Sequence, residues 1–271
     1  MNTVVSKDGT HIAYSKQGEG PVIILVDGAM GYQGFGPMVG LAPLLAKEFT
    51  VIHYDRRGRG KSGDTQPYSP AREIEDLETI IEAEGGKAAV FGSSSGAVFS
   101  AMAASHLGKD RITKLTLHEP SFILDGSHAP VPSNYLDSLR QMLKEGRRGD
   151  MVALFMTDAV GMPAEMVEGM KHAPFWTTME AVAPTLIYEA IYMTPNQKGK
   201  PLSSDMRKIF EAIEVPTLII DGTASYPFLH STADILAKVI PSAQHKTIEG
   251  MTHDFDAASI APALISFLKT Q

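Results

Sequence analysis

The strongest constraint on the fold is a run of small residues near the middle of the chain, Gly-Ser-Ser-Ser-Gly at residues 92–96. The apolar run before it, residues 88–91, predicts a buried strand, and the small residues after it, 97–107, predict a helix. A G-x-S-x-G pattern between a strand and a helix is typical of a nucleophile elbow, a strained turn that exposes a serine hydroxyl above a sheet. Both glycines allow the strand and the helix to approach closely. Ser94 is therefore the candidate nucleophile.

Short apolar runs alternate with amphipathic stretches on both sides of this turn. The predicted strands cover residues 3–6, 11–16, 22–26, 49–54, 88–91, 112–117, 215–220 and 244–248. Alternation of this kind predicts an α/β protein with a mostly parallel, eight-stranded sheet that is covered by helices on both faces.

The alternation is interrupted once. Residues 121–214 carry no clear strand signal and contain helical stretches such as 135–145 and 175–192. We therefore expect one core domain, formed by residues 1–120 and 215–271, with residues 121–214 inserted into it as a helical cap.

The composition excludes several classes of function. The formal net charge is −7 and no long basic run is present, which argues against nucleic acid as a partner. The chain has no cysteine, which excludes disulfides and thiolate metal sites. No apolar run reaches about 18 residues and residues 1–9 are polar, so neither a membrane span nor a secretory signal is expected. We expect a cytoplasmic monomer or homodimer that acts on a small hydrophobic molecule.

A serine hydroxyl is a weak nucleophile at neutral pH and needs a base, which in turn needs an orienting group. His253 is the candidate base because its loop, residues 249–254, lies between the last predicted strand and the last predicted helix and can reach the carboxyl edge of the sheet. The negative charge of the transition state needs backbone N–H donors. The candidates for this oxyanion hole are Ser95, directly after the nucleophile, and either Gly28 or Ala29 in the loop after the third predicted strand.

The orienting acid has two candidates, and the residue pattern leaves both open. Glu119 ends the predicted strand that follows the elbow, and Asp221 ends the strand that follows the inserted segment. Each carboxylate directly follows an apolar strand, where it needs a polar partner. Either could reach His253 from the carboxyl edge of the sheet.

Three motifs give the chain a resemblance to α/β-hydrolase-fold enzymes over essentially its full length. They are the elbow at residues 92–96, Asp-Arg-Arg-Gly-Arg-Gly-Lys-Ser at residues 55–62 and Gly-Met-Thr-His at residues 250–253. The resemblance implies an α/β-hydrolase fold and a Ser-His-acid triad that works through an acyl-enzyme. Such a triad needs no cofactor and no metal, so we expect neither.

Two departures from the commonest pattern of that fold bear on the acid. The usual acid lies three residues after the glycine that ends the strand following the cap, and that position is Ser225, which has no carboxylate. The oxyanion loop opens with Asp27-Gly28, where His-Gly is usual. Zearalenone-type lactonases are similar in having an Asp-Gly oxyanion loop, a Ser-Ser-Gly elbow and an acid after the strand that follows the elbow. This resemblance favours Glu119 over Asp221 as the acid.

The inserted segment is rich in methionine, with nine of the 14 methionines of the chain between Met142 and Met206. Methionine adapts to irregular apolar surfaces and suits pockets that accept varied ligands. The candidate pocket residues are Met30, Trp176, Phe175 and Tyr188. The predicted activity is hydrolysis of a hydrophobic carboxylic ester or lactone, aromatic ones included.

Two alternative classes of function remain open on the same fold. Cofactor-free perhydrolases and C–C bond hydrolases resemble this architecture and use similar triads. The fold also serves as a hormone receptor, so a ligand receptor without turnover is the second alternative. Halide-dependent bromination, cleavage of a vinylogous diketone, or ligand-induced stabilisation without turnover would distinguish these functions from ester hydrolysis.

Overall fold

The strands form one eight-stranded sheet in the computed structural model, which describes residues 1–270. They are β1 (Asn2–Val5), β2 (His11–Gln17), β3 (Val22–Val26), β4 (Thr50–Tyr54), β5 (Ala88–Ser93), β6 (Ile112–His118), β7 (Thr217–Gly222) and β8 (Ala243–Ile248). Their order across the sheet is β1-β2-β4-β3-β5-β6-β7-β8. The pairs β1/β2 and β2/β4 are antiparallel, and the other pairs are parallel. The predicted mostly parallel, eight-stranded sheet is therefore confirmed.

Helices connect and cover these strands. They are α1 (Met38–Leu45), α2 (Pro70–Ala83), α3 (Ser95–Leu107), α4 (Tyr135–Lys144), α5 (Arg148–Leu154), α6 (Ala164–Met170), α7 (Trp176–Val182), α8 (Leu186–Met193), α9 (Ser204–Glu211), α10 (Pro227–Val239) and α11 (Ala257–Lys269). Helix α5 continues into a π-helical turn, Phe155–Ala159. Within residues 1–270, no helix combines the length and the apolar character that crossing a bilayer requires.

Helices pack on both faces of the sheet, because successive side chains of a strand point to opposite faces. In β3, Ile24 packs on the side of α2, α3, α9 and α10, whereas Leu25 packs on the side of α1 and α11. Both side chains are fully buried. A central parallel strand such as Val22–Val26 is therefore apolar at every position and shows no alternation.

The segment between β6 and β7 packs over the loops that follow β3 and β7. Helices α4 to α8 enclose an apolar cluster that includes Leu139 and Val152. The cluster also contains Met30 from the loop after β3 and Phe228 from the start of α10. Helix α9 packs elsewhere, against α3 and α10, and its Phe210 belongs to the apolar core on one face of the sheet. The inserted residues therefore contribute to two separate layers.

Candidate active site

Ser94 lies at the sharp turn between β5 and α3, and its backbone is strained. Its φ of 58° and ψ of −126° are rarely adopted by residues other than glycine. A Cβ on Gly92 would overlap the carbonyl oxygen of Gly96, and a Cβ on Gly96 would overlap the carbonyl oxygen of Asp27. The two glycines of the motif therefore let the strand, the helix and the loop after β3 meet around the serine.

The residues predicted as nucleophile, base and acid form one hydrogen-bonded chain. Oγ of Ser94 lies 3.3 Å from Nε2 of His253, and Nδ1 of His253 lies 2.6 Å from Oε2 of Glu119. An ionised carboxylate only accepts, so Nδ1–H donates to Glu119 and the lone pair of Nε2 faces the serine hydroxyl. In this geometry His253 can withdraw the proton of Ser94, while Glu119 stabilises the imidazolium that results.

Glu119 follows β6 and is fully buried, with a φ of 44° that turns the chain sharply. Its Oε1 accepts from the backbone N–H of Gly222 at 3.0 Å, and its Oε2 also accepts from the hydroxyl of Ser225 at 2.8 Å. Burial disfavours the charged form, but the hydrogen bonds from His253 and Ser225 hold the pKa of Glu119 below its usual range. Position 225 is where the acid usually stands in this fold. Ser225 occupies that position here and donates a hydrogen bond to the carboxylate of Glu119.

Asp221, the alternative acid, contacts different histidines. Its carboxylate contacts Nδ1 of His230 and, at 3.0 Å, Nε2 of His245. Asp221 is two residues after Ile219 in β7 and so points to the same face of the sheet, which is the face covered by α10. It therefore does not orient His253 in this structure.

His118, the last residue of β6, supports both the elbow and the candidate base. Its Nδ1 lies 2.9 Å from Oγ of Ser93. Its ring packs edge-on against Phe255, with centroids 4.8 Å apart, and stacks against His253 at 5.9 Å. Burial lowers the pKa of His118 to about 3, so the ring is neutral where it packs against His253.

Gly28, Ala29 and Ser95, the candidate oxyanion donors, line the cavity beside Ser94. Ser95 is the first residue of α3, so its N–H has no acceptor within the helix and lies at the positive end of the helix dipole. Within residues 1–270, none of these three N–H groups donates to a protein acceptor. All three donors are therefore available to a developing oxyanion.

Two buried arginines after β4 hold the backbone of the oxyanion loop. Nη1 of Arg59 donates to the carbonyl oxygen of Gly28 at 2.6 Å, and Nη1 of Arg56 donates to that of Asp27 at 3.1 Å. A trans peptide points its N–H away from its C=O, so the bond that fixes the Gly28 carbonyl also fixes the N–H of Ala29. Arg59 is thus a positioning residue for one of the candidate oxyanion donors.

Both guanidinium groups bind one carboxylate, that of Glu189 on α8. Nη1 of Arg56 lies 2.7 Å from Oε1 of Glu189, and Arg59 and the hydroxyl of Tyr192 also contact this side chain. Burial disfavours the charge on Glu189, but the two arginines hold its pKa below its usual range. Arginines that follow a buried strand within a few residues indicate a need for buried acids. The sequence does not reveal the partner, because Glu189 lies 130 residues after Arg59.

Ser94 opens onto an apolar cavity of about 610 Å³ between the loops of the sheet and the helices of the inserted segment. Six methionines line it, namely Met30, Met156, Met162, Met170, Met179 and Met193. Phe175 also belongs to the lining. Two of the four predicted pocket residues, Met30 and Phe175, therefore lie at the cavity.

The other two predicted pocket residues, Trp176 and Tyr188, lie outside this lining. The indole N–H of Trp176 donates to Glu180 at 3.0 Å, and its ring packs among the inserted helices. The hydroxyl of Tyr188 donates to Asp64, and its ring stacks on Tyr68 with centroids 3.9 Å apart. Trp176 follows the lining residue Phe175, and Tyr188 precedes the lining residue Glu189. Because consecutive helical side chains point about 100° apart, a neighbour of a lining residue faces elsewhere.

A sequence profile of the alpha/beta hydrolase family matches residues 26–262 of this chain. An uncharacterized hydrolase, YraK, of Bacillus subtilis (strain 168) is 29% identical over 160 residues. The matched region is 56% of this chain and 56% of that protein, so the chain aligns with about half the length of this relative.

Several solved structures are similar over nearly the whole chain. An alpha/beta hydrolase from Sphaerobacter thermophilus DSM 20745 is 46% identical, with a TM-score of 0.90 over 99% of this chain and 100% of that chain. An enol-lactonase from Burkholderia xenovorans LB400 is 19% identical, with a TM-score of 0.73 over 99% of this chain and 100% of that chain, a likeness that concerns the fold alone. The profile match and the strand–elbow–helix geometry agree, and the chain belongs to the alpha/beta hydrolase family.

Proposed function

We propose that the protein is a serine hydrolase that cleaves hydrophobic carboxylic esters or lactones. The observation that carries this proposal is the chain of hydrogen bonds from Ser94 through His253 to Glu119, which begins at an apolar cavity. Three different elements supply these residues: the turn between β5 and α3, the loop after β8 and the end of β6. A strained serine, a base within reach and a buried carboxylate behind it are the parts that acyl transfer needs.

In the first half-reaction, Oγ of Ser94 attacks the carbonyl carbon while Nε2 of His253 accepts the hydroxyl proton. The oxyanion of the tetrahedral intermediate accepts hydrogen bonds from the N–H of Ser95 and from that of Gly28 or Ala29. His253 then transfers the proton to the leaving oxygen, the C–O bond breaks, and Ser94 carries the acyl group.

In the second half-reaction, a water molecule attacks the acyl carbon and His253 accepts its proton. Collapse of the second intermediate releases the carboxylic acid and returns the proton to Ser94. For a lactone, the leaving oxygen stays attached to the acyl group, so the product is one hydroxy acid. These steps use protein groups, substrate and water alone.

The cavity supports a hydrophobic substrate. Its walls include six methionine and seven aromatic side chains, and its volume of about 610 Å³ suits a small organic molecule. The one acid of the inserted segment in the lining, Glu189, is paired with Arg56 and Arg59, so its charge is already compensated. We further propose that helices α4 to α8 act as the cap that shields the reacting carbonyl from water.

The test is hydrolysis of a panel of aryl esters and aromatic lactones by the purified protein. Ser94→Ala and Glu119→Gln should each lower kcat by at least about 10³-fold. The exposed controls Ser133→Ala and Glu214→Gln should retain wild-type rates. Undiminished hydrolysis by Ser94→Ala would refute the nucleophile, and a loss confined to Asp221→Asn would refute the choice of acid.

A fluorophosphonate probe tests the nucleophile independently of substrate. It should form a covalent phosphonyl adduct on Ser94 with loss of fluoride, identified by the mass of the peptide that contains the elbow. Ser94→Ala should remove the adduct and Ser133→Ala should keep it. An adduct on another residue in the wild type would contradict the assignment.

A further inference from the structure

A second cluster of ionisable side chains lies at β7, β8 and α10, apart from the chain of hydrogen bonds at Ser94. It comprises Asp221 on β7, His230 on α10 and His245 on β8, whose potential ligand atoms all lie within 4.8 Å of one another. Asp234, one helical turn after His230, contacts the other ring nitrogen of His245 at 3.0 Å. None of these side chains takes part in the reaction proposed above.

The register of the sheet brings the cluster together on one face. Ile219 and Asp221 point to the same side of β7, the side on which α10 packs. His245 pairs with Ile219 in the parallel register of β7 and β8, so its side chain projects from that face too. The helix that covers this face carries His230. Three regular elements, and no flexible loop, therefore fix the relative positions of the three side chains.

His245 is held between two carboxylates. Its Nε2 lies 3.0 Å from Oδ1 of Asp221, and its Nδ1 lies 3.0 Å from Oδ1 of Asp234. A neutral imidazole has a single N–H donor, so one of these contacts sets a nitrogen lone pair against a carboxylate oxygen. A proton or a metal cation shared by Nε2 and Asp221 removes that repulsion. Metal-bound histidines commonly donate their other N–H to a carboxylate, the position that Asp234 occupies here.

We propose that Asp221, His230 and His245 form a binding site for a divalent transition-metal ion such as zinc. A carboxylate oxygen of Asp221, Nδ1 of His230 and Nε2 of His245 are the ligands, and Asp234 positions His245. Two imidazoles and one carboxylate suit zinc or cobalt, whereas calcium and magnesium prefer oxygen ligands alone. The side chain of Asp221 is fully buried but that of His230 is 51% exposed, so the ion enters from the α10 side.

The ion links α10 to β7 and β8. β8 is an edge strand of the sheet, with one neighbour only, and the loop that carries His253 follows it. The expected consequence is a more stable sheet edge. Asp221 bonds to His230 and His245, whereas Ser94, His253 and Glu119 bond to one another. The ion therefore does not bind the reacting groups, and kcat for ester hydrolysis is expected to stay the same.

The test is titration of the full-length protein with zinc after dialysis against EDTA. Calorimetry should show one equivalent bound with a Kd below about 1 µM, and Tm should rise with zinc concentration. His245→Ala and His230→Ala should each weaken binding at least about 100-fold and remove the rise in Tm. Since His230 is half exposed, its variant is expected to fold, which circular dichroism verifies.

His172→Ala is the matched control, because His172 is an exposed histidine of the inserted segment and should leave zinc binding unchanged. Cobalt(II) gives a second readout: its visible absorption bands should appear on binding to the wild type and be absent with His245→Ala. A Kd above about 1 µM for the wild type, or binding that is unaffected in both cluster variants, would overturn the proposal.

Discussion

Replacing Glu119 with glutamine should stop turnover and leave the fold intact, because the surrounding groups dictate the orientation of the new amide. Oε1 of Glu119 accepts from the N–H of Gly222 at 3.0 Å, so glutamine must place its carbonyl oxygen there. Its NH₂ group then takes the position of Oε2, 2.6 Å from Nδ1 of His253. An NH₂ group only donates, so Nδ1 becomes an acceptor and the ring proton moves to Nε2.

The magnitude follows from this change of tautomer. With Nε2 protonated, His253 cannot accept the proton of Ser94, and the carboxylate that stabilised the imidazolium is lost. We expect kcat to fall by about 10⁴-fold, which corresponds to about 5.4 kcal/mol of activation free energy. KM should change little, since Glu119 does not belong to the cavity lining. The hydroxyl of Ser225 can rotate to accept from the new NH₂ group, so the buried hydrogen bonds are retained.

The assay is steady-state hydrolysis of an aryl ester, with kcat and KM determined separately. The matched control is Glu214→Gln, which removes the same charge from a side chain that is 69% exposed. Thermal unfolding monitored by circular dichroism shows whether the variant is folded. A kcat within about tenfold of the wild type would refute the reasoning, because another group would then have to orient His253.

Buried contacts elsewhere in the site provide three more tests. Glu189→Gln should lower the free energy of unfolding in urea by about 3–5 kcal/mol, because the buried charge of Arg59 loses its partner; a loss below about 1 kcal/mol would contradict this. Gly96→Ala should lower kcat and destabilise the fold by about 1–3 kcal/mol, since its Cβ would overlap the carbonyl oxygen of Asp27; unchanged hydrolysis would disprove the close approach. Burial lowers the pKa of His118 from 6.5 to about 3. Between pH 6.5 and pH 3 the unfolded chain therefore binds a proton that the folded protein does not, so the free energy of unfolding decreases as the pH falls. Between pH 6 and pH 4 the wild type should therefore lose about 1.4 kcal/mol per pH unit more than His118→Asn, and parallel curves would show that the ring is not held neutral.

Local patterns in the sequence determined the elements of the fold and two residues of the candidate site. The small-residue run between an apolar strand and a helix predicted the turn at Ser94, and the loop before the last helix predicted His253. In the structure their reactive atoms lie 3.3 Å apart. These features can be read from sequence because their causes are local: crowding at a tight turn, and side-chain periods of two for strands and 3.6 for helices. Element ends are less well determined, and the strand predicted at residues 215–220 is Thr217–Gly222.

Tertiary packing alone decided which partner each buried charge meets. Glu119 and Asp221 both lie at the carboxyl ends of apolar strands, yet Glu119 contacts His253 whereas Asp221 contacts His245. The acid that pairs with Arg59 likewise comes from a helix 130 residues away. Strand register and the rotation of distant helices set these contacts. A local pattern specifies that a buried carboxylate or guanidinium needs a partner, but it carries no information on which residue is brought beside it.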